Sequence, residues 1–314
     1  MIELNLASPD ISDLKSIQFR ISQFPDGQQS IRIIESQSIG YSDFPNLKEV
    51  VIKSRLNSFK DLELIIGAAQ ALRELRVDKI NLYIPYCLGG RSDRKFSEGG
   101  FNYIKNVIAP IINLQKFNSV EIMDPHSDVL EACIDHFRKI DNSEVVGFAF
   151  DDYFNTLGIE EDFTKVRLVS PDAGALKKVY HISEEFGLKH EIIIAAKHRD
   201  PVTGQITHTS VPLSVHDADK DLFIIDDICD GGRTFVEIAK AIKKTRNLSS
   251  VVHPSQYGKI FLIITHGIFS AGFEELGEHF DGIYCTNSIK DITEELVGTS
   301  KSMKPIKLKQ LNVF

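Results

Sequence analysis

Long apolar runs are missing from this sequence: stretches such as Ile260–Thr265 behind Lys259 fall far short of the roughly 20 residues a bilayer demands. No basic leader opens the chain either, since Met1-Ile2-Glu3 begins with an acid, and the expectation is a protein without an export signal. Paired cysteines are also absent. Cys87, Cys133, Cys229 and Cys285 lie far apart with no Cys-x-x-Cys spacing, which suggests neither a zinc ribbon nor a disulfide framework. A reducing, cytoplasmic location is the default. An excess of basic residues is lacking too: 36 Lys and Arg face 44 Asp and Glu, a net charge of −8. That balance argues against a nucleic-acid partner, whose phosphate backbone calls for clustered cations. It does not bar anionic nucleotides, because local loops and metal ions can reverse the charge. Low-complexity tracts and coiled-coil heptads are absent as well.

What is present is ordinary for a globular chain. Hydrophobic residues make up 42% and charged residues 25%, and 314 residues suit two domains of about 150 each. Short β-branched runs alternate with amphipathic stretches. Val50–Lys53, Ile80–Ile84, Val120–Met123, Val166–Val169, Ile192–Ala196, Leu222–Ile225 and Ile260–Thr265 read as buried strands. Lys60–Arg76, Phe101–Leu114, Asp128–Phe137, Ala173–Glu185 and Thr234–Lys244 read as helices. In the last, Phe235, Ile238, Ala239 and Ile242 form one apolar stripe. This alternation predicts parallel sheets with right-handed crossovers. Leu82–Arg91 and Leu222–Arg233 share a strand, a Gly-Gly-Arg loop and a helix, and Ile122–His126 and Leu168–Asp172 share a polar Pro-containing strand end. A duplication would account for both pairs. The domain boundary is expected within Phe137–Asp162, giving domains 1–146 and 147–314.

One segment concentrates the chemistry. In Phe223-Ile-Ile-Asp-Asp-Ile-Cys-Asp-Gly-Gly-Arg-Thr-Phe235, an apolar strand delivers Asp226, Asp227 and Asp230, then Gly231 and Gly232, with Arg233 and Thr234 opening a helix. Glycines let backbone N–H groups close on a phosphate, and the helix N-terminus adds positive potential. The Thr234 hydroxyl can donate to a phosphate oxygen or cap the helix. The acids cannot bind phosphate, so they are assigned to ribose hydroxyls or to a metal that neutralises a diphosphate. Three acids at one strand end are costly without a cation or ligand to pair them.

This loop resembles the phosphoribosyl-diphosphate loop of type I phosphoribosyltransferases and of the ribose-phosphate diphosphokinases (PRPP synthetases). Further segments favour the second group, and the resemblance covers nearly the whole chain. Phe24-Pro-Asp-Gly-Gln28 is similar to the family's adenine-binding turn, and Arg91-Ser-Asp-Arg94 to its ATP-binding segment. Asp124-Pro-His126 resembles a strand end whose His helps to hold Mg²⁺. Ser170-Pro-Asp-Ala-Gly174 and Thr265-His-Gly-Ile-Phe-Ser270 match two more motifs, and Lys197-His-Arg199 sits where the family's mobile catalytic loop lies. The resemblance implies two doubly wound parallel-sheet α/β domains, type I phosphoribosyltransferase-like and related by a pseudo-two-fold axis. The N-terminal one would bind ATP and the C-terminal one the ribose phosphate, with the site at the C-terminal ends of the strands.

The resemblance also implies a role for each residue. Lys197 and Arg199 would stabilise the transferring diphosphate. Phe24, Asp26, Gln28, Arg91, Asp93 and Arg94 would bind ATP. His126 and Asp172 would hold Mg²⁺, with a hydrogen-bonded His and a helix N-cap as their respective alternatives. Asp226, Asp227, Asp230, Gly231, Gly232, Arg233 and Thr234 would bind the ribose phosphate. A homo-oligomer, dimer or hexamer, is implied as well.

Departures from the family bear on the substrate. Its loop is usually Asp-Thr-Gly-Gly-Thr; here Asp230-Gly-Gly-Arg-Thr234 loses the first hydroxyl and gains a guanidinium. Ribose 5-phosphate is the first expectation. An acceptor whose 5′-phosphate continues into a second phosphate, such as ADP-ribose, is the alternative and would tie the enzyme to NAD metabolism. Gln28 replaces the usual Glu, and Lys95–Ile104 lacks the family's arginine and Pro-Ile-Thr, so control by ADP and phosphate is expected to be weak. Lesser alternatives are a phosphoribosyltransferase and a non-catalytic regulatory paralogue.

Overall fold

The computed structural model describes residues 2–7, 16–36, 39–188, 192–199, 206–248, 252–293 and 307–314, the side chains of 197–199, 206–208 and 215 excepted. The chain divides into two compact units, Met1–Asp141 with Val313–Phe314, and Asn142–Asn312.

In the first unit, β1 (Ile2–Asn5) is followed by a hairpin of β2 (Phe19–Gln23) and β3 (Gln29–Ile33), then by β4 (Glu49–Lys53), α1 (Phe59–Glu74) and β5 (Lys79–Tyr83). A single π-helical turn, Ile104–Ile108, runs into α2 (Ala109–Leu114); β6 (Val120–Met123), α3 (Val129–Cys133) and β7 (Phe137–Ile140) complete the unit. The main sheet has the order β1-β4-β5-β6-β7 with every pairing parallel. Its strands are short and apolar because they are covered on both faces. Helix α1 begins with a capping box in which Ser58 and Asp61 exchange bonds, and it buries Leu62, Ile65, Ala68, Ala69 and Leu72. One expectation fails here: Asp128–Phe137 is not one helix. Helix α3 stops at Cys133, and the β-branched Ile134 is already extended and leads into β7, which adds an edge strand.

The second unit opens with α4 (Ser143–Leu157), inside the stretch expected to hold only a boundary. Its signal is the stripe Val145, Val146, Ala149, Phe150, Tyr153, Phe154, all buried. Then follow β8 (Val166–Ser170), α5 (Leu176–Glu185), β9 (Ile193–Ile194), a ribbon of β10 (Ala196–Arg199) and β11 (Ile206–Ser210), β12 (Asp221–Cys229), α6 (Arg233–Asn247), β13 (Ile260–Gly267), α7 (Glu274–His279), β14 (Gly282–Thr286) and β15 (Leu308–Leu311). The sheet order is β15-β14-β13-β12-β8-β9, parallel throughout.

The period-two alternation of β12 sorts the second unit's layers. Leu222 and Ile224 pack with Ile238, Ala239 and Ile242 of α6. Phe223, on the other face, stacks on Phe261 at 4.7 Å and meets Phe150 and Tyr153 of α4 edge-on. Helices on both faces make the unit doubly wound. Among the described residues, no helix is long and apolar enough to cross a membrane.

Candidate functional site

Strand β12 runs further than the apolar run alone suggests, so that Asp226 and Asp227 lie within it at adjacent positions, their carboxyl groups in hydrogen-bond contact. Asp227 is buried, and its Oδ2 lies 3.3 Å from Lys178 Nζ of α5. The backbone N–H of Asp227 donates to Asp226 Oδ1 at 2.9 Å. Burial first, and the negative charge of Asp227 second, hold the Asp226 carboxyl well above the usual carboxylate range.

After Cys229 the chain turns through Asp230-Gly231-Gly232 into α6. Gly232 is the N-cap with φ +78°, in the left-handed region where side chains are strained. A Cβ there would also sit 3.1 Å from Leu276 Cδ2. Gly231 is different: the nearest atoms to its would-be Cβ are Ser270 Oγ at 3.8 Å and Ala271 Cβ at 4.0 Å, so the loop keeps open space beside it. Arg233 is the first helical residue; it is exposed and has no ion-pair partner among the described residues. Thr234 follows, half-buried. The N-terminus of a 15-residue helix thus faces the turn, with its unsatisfied N–H groups available to an anion.

A second loop supports the first. The Cys229 carbonyl accepts from Ile268 N at 2.9 Å and Phe269 N at 3.2 Å, and Ser270 N donates to the Asp230 carbonyl at 3.1 Å. The Ser270 hydroxyl donates to Asp230 Oδ1 at 2.6 Å, while Lys290 Nζ donates to Ile268 O at 2.8 Å. Phe269 has φ +49°, an uncommon backbone state for an aromatic residue, and its ring packs against Gly267. Burial pushes the Cys229 thiol up to about 12, so this cysteine is neutral packing in the loop.

Asp172 follows β8. Its Oδ1 accepts from Gly174 N at 2.9 Å and Ala175 N at 3.1 Å, which closes the turn before α5. These bonds close the turn ahead of the helix; the N-cap of α5 itself is Ala175, which carries no side-chain cap. Lys197 and Arg199 belong by their backbone to β10, and their side chains lie outside the described residues. A cavity of about 470 Å³ in this unit, lined by Tyr153, Lys259, Phe261, Tyr284 and Lys309 among others, sits at the opposite, N-terminal ends of β13 to β15.

In the first unit, Phe24 stands at the tip of the β2–β3 hairpin, 51% exposed and outside the core. Its turn is closed by Phe24 N to Gln28 O at 2.9 Å, by Gly27 N to Phe24 O at 2.9 Å, and by Gln28 N to Asp26 Oδ1 at 3.1 Å. Asp26 and the backbone of Gln28 are thus engaged in shaping the turn. Arg91, Asp93 and Arg94 follow β5 in an irregular loop. Asp93 lies 3.7 Å from Arg94 Nε, and the Arg94 guanidinium sits 5.5 Å over the exposed Phe96 ring. No helix starts directly after this Gly-Gly-Arg, unlike the loop after β12, so the two halves share strand and turn but not the anion-facing helix end. His126 is exposed at the end of neighbouring β6, just after Asp124, a buried residue with φ +40°.

Two site residues were given no role in the sequence reading: Lys178 and Ser270. Lys178 on α5 is separated from Asp227 on β12 by β9 and the β10–β11 ribbon, so no local spacing links the two.

Residues 142–252 match the phosphoribosyl transferase domain family. Over most of its length the chain is similar to curated ribose-phosphate pyrophosphokinases. It is 29% identical to that of Pyrococcus furiosus, covering 86% of this chain and 85% of the relative, and 25% identical to that of Sulfolobus acidocaldarius, covering 96% and 95%. The crystal structure of phosphoribosylpyrophosphate synthetase from Mycobacterium smegmatis shares the fold, with a TM-score of 0.72 at 15% identity over 99% of this chain and 95% of that one. The likeness to these pyrophosphokinases extends over nearly the whole chain at 25–29% identity.

Proposed function

We propose that this divergent member of the ribose-phosphate diphosphokinase group transfers the β,γ-diphosphate of ATP to the C1 hydroxyl of ribose 5-phosphate, giving PRPP and AMP. The observation that carries the reading is the acid-flanked glycine turn at the head of α6. It offers a helix N-terminus to the 5′-phosphate, and carboxylates beside it to ribose hydroxyls. The second unit takes the acceptor, and the first takes ATP through Phe24, Arg91 and Arg94, with Asp26 and Asp93 shaping their loops.

In the reaction, the C1 oxygen bonds to the β-phosphorus and the bond from that phosphorus to the α–β bridging oxygen breaks. AMP leaves with the bridging oxygen, and the hydroxyl proton passes to AMP or to solvent. Negative charge gathers on the diphosphate, so fixed cations serve better than a general base. Lys197 and Arg199 are assigned that task.

Mg²⁺ suits the acids here, because the surroundings of the half-buried Asp226 disfavour its charge, the condition a nearby cation relieves. We assign Asp172 to ion binding in the second unit, one of its oxygens being already engaged by its turn, and His126 to ion binding in the first. When bound, the ion would neutralise polyphosphate charge. On the same reading the enzyme works in the reducing cytoplasm as a homo-oligomer, a dimer or hexamer, which sedimentation would measure.

A second reading keeps the chemistry and extends the acceptor. The exposed Arg233, without an ion-pair partner among the described residues, and the open space beside Gly231 suit a 5′-phosphate that continues into a second phosphate, as in ADP-ribose. Incubating the protein with ATP, Mg²⁺ and either acceptor, and following AMP by chromatography, tests both. AMP formed in step with a diphosphorylated sugar is expected. No AMP with either acceptor refutes the function and leaves the fold standing.

A further inference from the structure

We infer that Lys178 is a positioning residue of the acceptor site, acting through Asp227; the inference rests on the acceptor-loop reading above. The carboxylates of Asp172, Asp226 and Asp230 act electrostatically on this strand end, and Asp227 lies among them. Each is held differently. Asp172 is tied to the turn before α5, Asp230 to Ser270, and Asp227 to Lys178, while Asp226 accepts the backbone N–H of Asp227.

The Lys178–Asp227 pair is no surface ion pair. Its side chains are 19% and 7% exposed, where a carboxylate stripped of its counter-ion is costly. The pair also spans two elements, α5 and β12, and so fastens the helix to the strand end that carries the loop. Its ammonium holds Asp227 against α5, and the Asp227 carboxyl in turn meets that of Asp226, so the cation sets the paired acids from the α5 side. Without the ammonium, the repulsion between the two adjacent carboxylates loses its nearest counter-charge, and the strand end loses its set. Lys178 touches no substrate in this scheme. It fixes Asp227, and through the contact between the two carboxyls it positions Asp226, the group assigned to the ribose.

The test uses the full chain with Lys178→Met, which keeps length and removes charge, and Lys178→Arg. The Met variant is expected to raise the acceptor KM by roughly tenfold, the scale of a hydrogen bond to a charged group, with the ATP KM unchanged. The Arg variant should recover most of the loss. In an Asp227→Asn background the Met substitution should add little, because its route of action is already gone.

An unchanged acceptor KM in K178M, even with a lowered Tm, overturns the inference, and so does an undiminished effect on top of D227N. Should K178M fail to fold, D227N with and without K178M carries the comparison, since a neutral pair leaves no stranded charge. Wild-type protein that releases no AMP sinks the functional reading instead. Calorimetric binding of ribose 5-phosphate to wild type and K178M then still decides the role of Lys178, and no binding to wild type overturns both.

Discussion

Replacing Gly232 by Ala separates the mechanical from the chemical part of the phosphate loop. Gly232 holds φ +78°, which costs an L-residue about 1–2 kcal/mol. Its new Cβ would also meet Leu276 at 3.1–3.3 Å on three atoms, and moving a packed side chain aside adds about 1–2 kcal/mol. The sum, about 2–4 kcal/mol, corresponds to a Tm lower by about 5–15 °C for a unit of this size. Gly231→Ala is the control. Gly231 lies outside the positive-φ set and its nearest neighbour is 3.8 Å away, so stability should stay within about 0.5 kcal/mol of wild type. That methyl enters the space kept for the anion, so acceptor KM should rise by roughly tenfold. Differential scanning calorimetry and acceptor kinetics on both variants give the answer. Equal destabilisation by the two substitutions, or a silent G232A, refutes the reasoning.

Three other substitutions probe the rest of the site. Asp226→Asn removes a carboxyl whose folded-state pKa is raised, a group that binds its proton more tightly folded than unfolded. Its contribution therefore erodes stability as pH climbs from the unfolded value of about 3.9 through the raised folded value. D226N should raise Tm at pH 7.5, lose that advantage near pH 4 and turn over poorly; a lower Tm at pH 7.5 contradicts the assignment. Phe24→Ala, at an exposed hairpin tip, should leave Tm unchanged and raise ATP KM by roughly tenfold if the ring stacks on adenine. Arg233→Ala should depress use of ADP-ribose while sparing ribose 5-phosphate; equal activity of the variant on both acceptors removes Arg233 from substrate selection.

The layers of both units were legible because buried parallel strands are continuous apolar runs, and Val50–Lys53, Val120–Met123 and Ile260–Thr265 have no other reading. Helix α6 was legible from its stripe. Helix α4 was not: Asp151 and Asp152 stand beside the buried Tyr153 and Phe154, and acidic composition hid a seam that covers the sheet. The turn at Leu130–Ile134 misled in the other direction, since a short periodic stretch resembles a longer helix until Ile134 extends. At the site, local sequence gave the glycines, the helix head and the three acids. It could not give Lys178 or the hydroxyl of Ser270, whose partners are 49 and 40 positions away along the chain. Nor could it tell that Asp172 would spend an oxygen on its own turn, because capping and ligation ask for the same residue.

The stitching of residues 268–270 to Cys229 and Asp230 has a consequence for how this site can change its diet. Two loops that follow adjacent strands share one set of hydrogen bonds, so neither can lengthen or shorten without breaking the other's register. The cradle behaves as a cast fitting with interchangeable inserts. New acceptors are admitted by swapping the side chains that project from it, at positions 231 and 233, while the casting keeps its dimensions.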